Sequence, residues 1–332
     1  MIYKSCILFI SSFLITYILA PISIKYGNQL GLIDKPEERK INKRSLVRIG
    51  GVCLLVSSLL SYFIIIYLNQ GINEGYPQVK NFFLICSFIS ISAFTLGFAD
   101  DANSLPPLFR LFVQILISIS IWLSGIQILN LDISFINLDI ESLNLNKYVS
   151  LLFTVLWICG ITNAINWIDG LDGLASSIVG IGSLSFGLIS LNMGNNVVGL
   201  ILIGLSGACL GFYILNSHPA KLIMGDGGSY FLGVNLGYLS ILGSTSYSSL
   251  NNIDQPIQKL HVFILIFAIP IFDMAFVIVS RLIKKVSPFY PDNNHIHHRL
   301  MKAGFSHKKV VDICIMITFL ISIFSLFLFI KV

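Results

Sequence analysis

The sequence predicts an all-α polytopic membrane protein of about ten transmembrane helices, built as a single domain over residues 1–332. Three observations predict it. The chain is 55% hydrophobic and only 11% charged, against roughly 25% charged residues in an ordinary soluble domain. The apolar excess runs from end to end instead of forming one anchor. The cationic residues also fall unevenly between the connections on alternate sides of the apolar runs.

A helix crossing the hydrocarbon needs about 20 apolar residues. Such runs lie near 3–24, 50–68, 80–98, 109–129, 148–166, 173–191, 196–215, 229–247, 260–281 and 310–330. The first run is too long for a signal-peptide core and lacks a small-x-small cleavage site, so it is expected to stay as a span. The basic stretch DKPEERKINKRSLVR (34–48) precedes the second run; on charge alone it is equally a topology signal facing anionic lipid. The third run ends in GFADD (97–101), and the fourth opens at Arg110. Between the fourth and fifth, DISFINLDIESLNL (132–145) alternates Ile133/Phe135 and Leu138/Ile140, the period of a small β-hairpin. NAINWIDGLDGLA (163–175) joins the fifth and sixth runs, MGDGGS (224–229) the seventh and eighth, and PDNNHIHHRL (291–300) the ninth and tenth. All six cysteines sit in apolar runs without a CxxC pair, which reads as buried thiols.

Ten spans put both termini on one side. Sixteen of the 21 Lys and Arg then share the opposite face: seven within 25–48, Arg110, Lys221, and seven within 281–309. The positive-inside rule makes that face cytoplasmic, with the termini and the hairpin outside.

The unusual polar blocks all fall on this cytoplasmic face, which argues for one active site. Asp100, Asp101, Asp169, Asp172 and Asp226 are hard oxygen ligands. Crowded at a membrane surface, they would repel each other and resist desolvation, and a divalent cation relieves both penalties. Mg2+, with Mn2+ as a substitute, suits a few carboxylates completed by water and substrate phosphates. Gly225 and its neighbouring glycines allow close backbone approach to a ligand. Helices starting after DGLDG and GDGGS would aim free N–H groups at an anion, although Asp172 and Ser229 also suit ordinary helix caps. Lys40, Arg48, Arg110 and Lys221 can neutralise phosphate. Acids, a metal and cations together fit a pyrophosphate substrate, and the membrane setting points to a lipid as the other. His295, His297 and His298 are read as phosphate or sugar contacts, with zinc the weaker alternative because the loop offers no Cys. Asp273 lies about two turns inside its span; an intramembrane carboxylate marks function by default, and a structural partner accounts for it equally well.

The blocks DKPEERK…RIGG, GFADD, NAINWIDGLDGLA, MGDGGSYFLG, PIFD and SPFYPDNNHIHHRL resemble the polyprenyl-phosphate N-acetylhexosamine-1-phosphate transferase family, which includes the phospho-MurNAc-pentapeptide transferases. They cover nearly the whole chain in family order. The resemblance implies Mg2+-dependent transfer of a sugar-1-phosphate from a UDP-N-acetylhexosamine to undecaprenyl phosphate in the bilayer, with UMP leaving. It implies that Asp226 is the main metal ligand, helped by Asn166. Asp100 and Asp101 would lie beside the metal and the lipid phosphate, while Asn163, Asn166, Asp169 and Asp172 line the nucleotide and catalytic centre. Arg110 would contact phosphate. The HIHH loop favours a small amino sugar over a peptide-bearing one. The first block departs locally: Asn42 stands where the family usually has His, and Ser45 and Val47 replace prolines. Nothing points to a nucleic-acid partner, and a homodimer is compatible with the sequence.

Two other classes compete. A transporter would show polar groups at mid-depth on several helices and pseudo-repeated halves, whereas only Asp273 is clearly inside a span. A lipid-binding scaffold is disfavoured by so many acids where a phosphate must come.

Overall fold

The computed structural model describes residues 1–34, 45–68, 76–132, 142–246, 257–287 and 294–330. Long helices dominate: α1 (Ile2–Gln29), α2 (Gly51–Leu68), α3 (Tyr76–Asn103), α4 (Pro107–Leu123), α5 (Lys147–Ile168), α6 (Leu174–Asn192), α7 (Asn196–Asn216), α8 (Gly225–Gly243), α9 (Leu260–Ile266), α10 (Ala268–Ile283), α11 (Ile296–Lys302) and α12 (His307–Phe329). Among the described residues, three short antiparallel pairs join connections: β1 (Ile33–Asp34) with β2 (Leu46–Val47), β3 (Asn130–Asp132) with β4 (Ser142–Asn144), and β5 (Thr245–Ser246) with β6 (Ile257–Gln258). The expected hairpin is present as β3 and β4, with Leu131 opposite Leu143. The alternating residues that suggested it, 133–140, lie outside the described residues.

Among the described residues, seven helices are long and apolar enough to cross a membrane: α1, α2, α3 from Lys80, α5, α6, α7 and α12. The run expected at 260–281 is α9 and α10, bent by 88° at Phe267, and this pair would be an eighth span. The run expected at 109–129 yields only the 17 residues of α4, started by Pro106 and Pro107. It stops at Ser124 and Gly125, where a φ of +93° turns the chain.

The eighth run became a different kind of helix. α8 is enclosed by protein along its length, every residue from Gly227 to Ile241 being buried. It therefore tolerates glycines and polar side chains that lipid would reject. Asn235 Oδ1 accepts hydrogen bonds from Tyr62 Oη at 3.3 Å, Ser90 Oγ at 3.0 Å and Tyr238 Oη at 2.9 Å. This tie fixes α8 against α2 and α3. Small residues bring other axes close: a Cβ on Gly207 or Gly211 of α7 would strike the α1 backbone at Phe9 or Phe13.

Candidate active site

The site forms where α3 and α5 end and α8 begins. Asp100 and Asp101 lie within the last turn of α3. Gly97, one turn earlier, faces the backbone of Asp226 so closely that a Cβ there would collide with the Asp226 carbonyl. The GDGGS block is the first turn of α8, not the loop that the sequence suggested. Gly225 takes a φ of +71°, a conformation glycine adopts without penalty. The backbone N–H groups of Asp226 and Gly227 then donate to Asp101 Oδ1 at 2.9 Å and Oδ2 at 3.1 Å. A protein carboxylate thus fills the anion position at this helix N-terminus. The expectation of free N–H groups for a substrate anion is corrected for α8.

The Asp226 side chain points away from its own helix. Its Oδ1 accepts from Asn166 Nδ2 at 2.9 Å, and its Oδ2 from Arg48 Nη2 at 3.1 Å. Asn166 also donates to Ser229 Oγ at 2.8 Å, so its amide nitrogen faces both partners. Arg48 follows β2, which is pinned to the start of α8: Ile223 N–H donates to Val47 O at 3.0 Å, and Gly51 N–H to Met224 O at 2.9 Å. From there Arg48 Nε reaches Asp101 Oδ1 at 2.7 Å, and Nη1 lies 3.7 Å from Asp34. Asp100 is 5% exposed. It accepts from Arg110 Nη1 at 2.6 Å, Leu105 N–H at 2.8 Å and Tyr230 Oη at 3.4 Å. Asn163 donates to Gln114 Oε1 of α4 at 2.7 Å. The structure therefore gathers Asp100, Asp101, Asp226, Asn163, Asn166, Arg48, Arg110, Ser229 and Gly225 from five chain segments.

Asp169 follows α5 and feels the same cluster. Burial first, then the neighbouring Asp226, holds its carboxyl well above the usual carboxylate range; Arg48 pulls the other way. Among the described residues, the guanidinium groups of Arg48 and Arg110 face four central carboxylates, Asp100, Asp101, Asp169 and Asp226, and Arg48 also lies near Asp34. That excess of hard oxygen and negative charge fits a divalent cation. Among the described residues, no three of the central carboxylates come within 4.8 Å of one another. This spread suits Mg2+, which binds one or two carboxylates and keeps places for water and phosphate; it does not suit a closed protein cage.

The remaining expected residues go elsewhere. Asp172 turns from the central acids to His218 and Ala220: its Oδ2 lies 2.9 Å from His218 Nδ1 and accepts from Ala220 N–H at 3.1 Å. Neither Asp172 nor Ser229 caps a helix, since Gly173 and Met224 hold those positions. His295 and Asp273 are partners at 2.8 Å, and Asp273 also accepts from Ile296 N–H at 2.6 Å, so this acid of α10 anchors the start of α11, the helix that HIHH opens. His297 is 1% exposed, lies against Gly170, and among the described residues finds no partner for either ring nitrogen. Burial and the adjacent His298 lower its pKa to about 3, so it is neutral at physiological pH and does not attract an anion by charge. The His298 ring lies against it, tilted by 38° with centroids 4.2 Å apart. The three imidazoles form no metal-ligand triplet among the described residues. Lys221 is exposed in the α7–α8 connection and makes no ion pair with the central acids among the described residues; Lys40 lies outside the described residues.

Sequence reasoning missed Gln114, Tyr230, His218 and His307. Gln114 and Tyr230 are uncharged members of apolar helices, and only proximity reveals them. His218 and His307 begin or end helices without a motif around them.

A family model for glycosyl transferase family 4 matches residues 83–244, which contain every central acid except Asp34. Over 323 residues the chain is 34% identical to a protein of Bacillus subtilis (strain 168) named "Probable undecaprenyl-phosphate N-acetylglucosaminyl 1-phosphate transferase", covering 96% of this chain and 84% of that relative. It is 27% identical to the undecaprenyl-phosphate alpha-N-acetylglucosaminyl 1-phosphate transferase of Escherichia coli (strain K12), over 90% of this chain and 77% of the other. A phospho-N-acetylmuramoyl-pentapeptide-transferase of Wolbachia sp. subsp. Brugia malayi (strain TRS) is 29% identical over 96% and 97% of the two chains. With the similarity running almost end to end and the polar blocks assembled at one place, the chain belongs to glycosyl transferase family 4, the polyprenyl-phosphate N-acetylhexosamine-1-phosphate transferase family that its motifs resemble.

Proposed function

We propose that this membrane enzyme transfers N-acetylglucosamine-1-phosphate from its UDP-sugar to undecaprenyl phosphate, releasing UMP, as the first membrane step of cell-surface glycan synthesis. The observation that carries the reading is the convergence of Asp101, Asp226, Asn166 and Arg48 at the mouth of an apolar bundle. The printed names of the relatives support an N-acetylglucosaminyl phosphate group and a polyprenyl phosphate acceptor. In this reading α4, α8 and the α9–α10 pair complete ten crossings. The site faces the cytoplasm and both termini lie outside.

Mg2+ would be held by Asp226, with Asp101 and Asp169 nearby, and would offset charge on the pyrophosphate. The chain's own groups do the rest. A phosphate monoester has a second pKa near 6, so the lipid phosphate is mostly a dianion and needs little help from a base. Asp100 aims Arg110, whose guanidinium receives that phosphate. Attack on the β-phosphorus then forms the new P–O bond as the bond to UMP breaks. Asp101 is engaged by two backbone N–H groups and Arg48, and Asp100 by Arg110. Neither carboxylate is free as a nucleophile, which favours direct attack over an aspartyl intermediate. Gly170, next to Asp169, packs on neutral His297, an arrangement suited to a sugar or base hydroxyl or amide more than to a phosphate.

The family relationship does not favour the transporter alternative, and Asp273, the one acid that suggested it, has local partners. The test is UMP release by purified protein given undecaprenyl phosphate and a panel of UDP-sugars. UMP formed with UDP-N-acetylglucosamine only when lipid phosphate is present is the expected result. No UMP with any donor would overturn the proposal.

A further inference from the structure

α4 and α5 meet along a seam of polar pairs. Moving toward the central acids, Trp122 Nε1 donates to Ser150 Oγ at 3.1 Å, Ser118 Oγ lies 3.5 Å from Cys159 Sγ, and Asn163 Nδ2 donates to Gln114 Oε1 at 2.7 Å. The last pair is fixed in orientation. Asn163 Nδ2 also donates to the Cys159 carbonyl at 2.8 Å, and only the nitrogen of an amide can face two acceptors at once. Gln114 therefore gives its oxygen to α5 and keeps Nε2 as a spare donor. Gln114 is 2% exposed, and its Nε2 finds no partner among the described residues. Four residues separate it from Arg110, so the two share a face of α4, with Gln114 roughly 6 Å further along the helix from the site's mouth. Asn163 stands likewise one turn behind Asn166 on α5. A layer of neutral amides thus underlies the layer of charged groups.

We propose that Gln114 is a further substrate-binding residue: its Nε2–H donates to the ester oxygen that joins the phosphate of the lipid acceptor to its hydrocarbon chain. The inference rests on the transfer reading above and deepens it. Depth and charge decide which atom is met. The non-bridging oxygens carry the charge of the phosphate and belong with Arg110, in the outer layer. The ester oxygen carries no formal charge and leads to a chain that must run into apolar surroundings. A neutral donor one turn deeper reaches that oxygen without drawing the phosphate away from Arg110. Held at a non-bridging oxygen by Arg110 and at the ester oxygen by Gln114, the head group cannot turn about its ester bond. One remaining oxygen is then kept toward the sugar nucleotide, the positioning that an attack on phosphorus needs. The same contact satisfies a buried donor whose unpaired state is costly.

The test compares two acceptors of one chain length, undecaprenyl phosphate and the phosphonate in which CH2 replaces the ester oxygen, at a pH high enough to make both head groups dianions. The full chain in detergent is assayed for UMP release and for equilibrium binding of each lipid. Wild type is expected to favour the phosphate by about tenfold in kcat/KM and in affinity, the scale of one hydrogen bond lost with its donor stranded. Gln114→Met, close in length but without a donor, is expected to bring both ratios near one. Ser118→Ala, one rung away in the seam, is expected to keep the wild-type ratios; a merely structural role for Gln114 would lower turnover of both lipids alike. Equal use of the two lipids by wild type, or an undiminished preference in Gln114→Met, would overturn the inference. If Gln114→Met melts early, Gln114→Leu takes its place. Absence of UMP from either lipid with wild type counts against the transfer reading, and the binding ratios then decide the inference by themselves: no preference for the phosphate sinks it.

Discussion

Asp226 and Arg48 show how much a single pair carries. Arg48 bridges Asp101 and Asp226 across 2.7 and 3.1 Å, so the acids are held apart by a fixed guanidinium fork. Asp226→Ala is expected to lower UMP release by about a thousandfold or more, on the scale of losing a main electrostatic stabiliser. Its melting temperature in detergent should stay near wild type, and near-normal turnover would remove Asp226 from the chemistry. Gln114 makes a subtler case. Asn163 donates to it at 2.7 Å, so Gln114→Leu leaves that amide held only by the Cys159 carbonyl at 2.8 Å and free to swing about that one bond. A fall of roughly tenfold in kcat/KM is expected, with no additional loss when Asn163→Ala is combined with it. Steady-state assays of both singles and the double measure this. The charged members of the site were legible because each acid or arginine is conspicuous beside an apolar run. Gln114, Tyr230 and the histidine pair were not, because a neutral side chain or a lone loop His has the same sequence appearance whether or not it faces a site. The direction of Asp172 was also hidden: one residue in a tight turn decides whether a carboxylate joins one cluster or the next.

At the scale of elements, hydropathy located the helices well where lipid surrounds them and less well where protein does. α8 is the clearest example. Its glycines and Asn235 dilute the apolar signal, so the run was placed four residues late and its first turn, which carries Asp226, was taken for a loop. The bend at Phe267 left no trace, since residues 260–281 remain apolar on both sides of it. Two local reasons set the stop of α4, the Gly125 turn and the β3 strand that follows; composition showed neither. The Asn235 tie gives this scale a test. Asn235→Leu strips three hydroxyl donors of their acceptor within the bundle. A loss of about 2 kcal/mol is expected, summing modest intramembrane bonds, and thermal unfolding in detergent reads it as a lowered midpoint. Activity should fall as well, because α8 then loses its fixed seat against α3.

For the molecule as a whole, the crowding of partly and fully buried carboxylates at the site makes stability depend on pH and on cations. Asp169 binds its proton more tightly folded than unfolded, because its folded pKa is raised from 3.8. Stability from this group is therefore fully present below 3.8 and declines as pH rises through the folded value. In chelator, the melting temperature is expected to fall over that range; added Mg2+ should flatten the decline by taking up the exposed charge. A pH profile identical with and without Mg2+ would contradict the charge balance described for the site. His297 works in the opposite sense. Its pKa is lowered to about 3 from 6.5, so stability is lost as pH falls from 6.5 toward 3, and His297→Phe should soften that acid limb. The overall topology has its own check. Single cysteines placed at Lys4 and Lys221 in a cysteine-free chain should label from opposite sides of intact cells or vesicles, with only the first accessible from outside.

His307 gives the fold an order in time. The turn at 169–173 leaves the ribosome long before residue 307 does, so a growing chain first shapes its polar mouth with one of Asp172's partners still unmade. Only when α12 threads into place does the backbone of that turn find its acceptor. The turn that follows Asp169 is thereby locked by a helix made more than a hundred residues later, so its shape is among the last features of the described fold to settle.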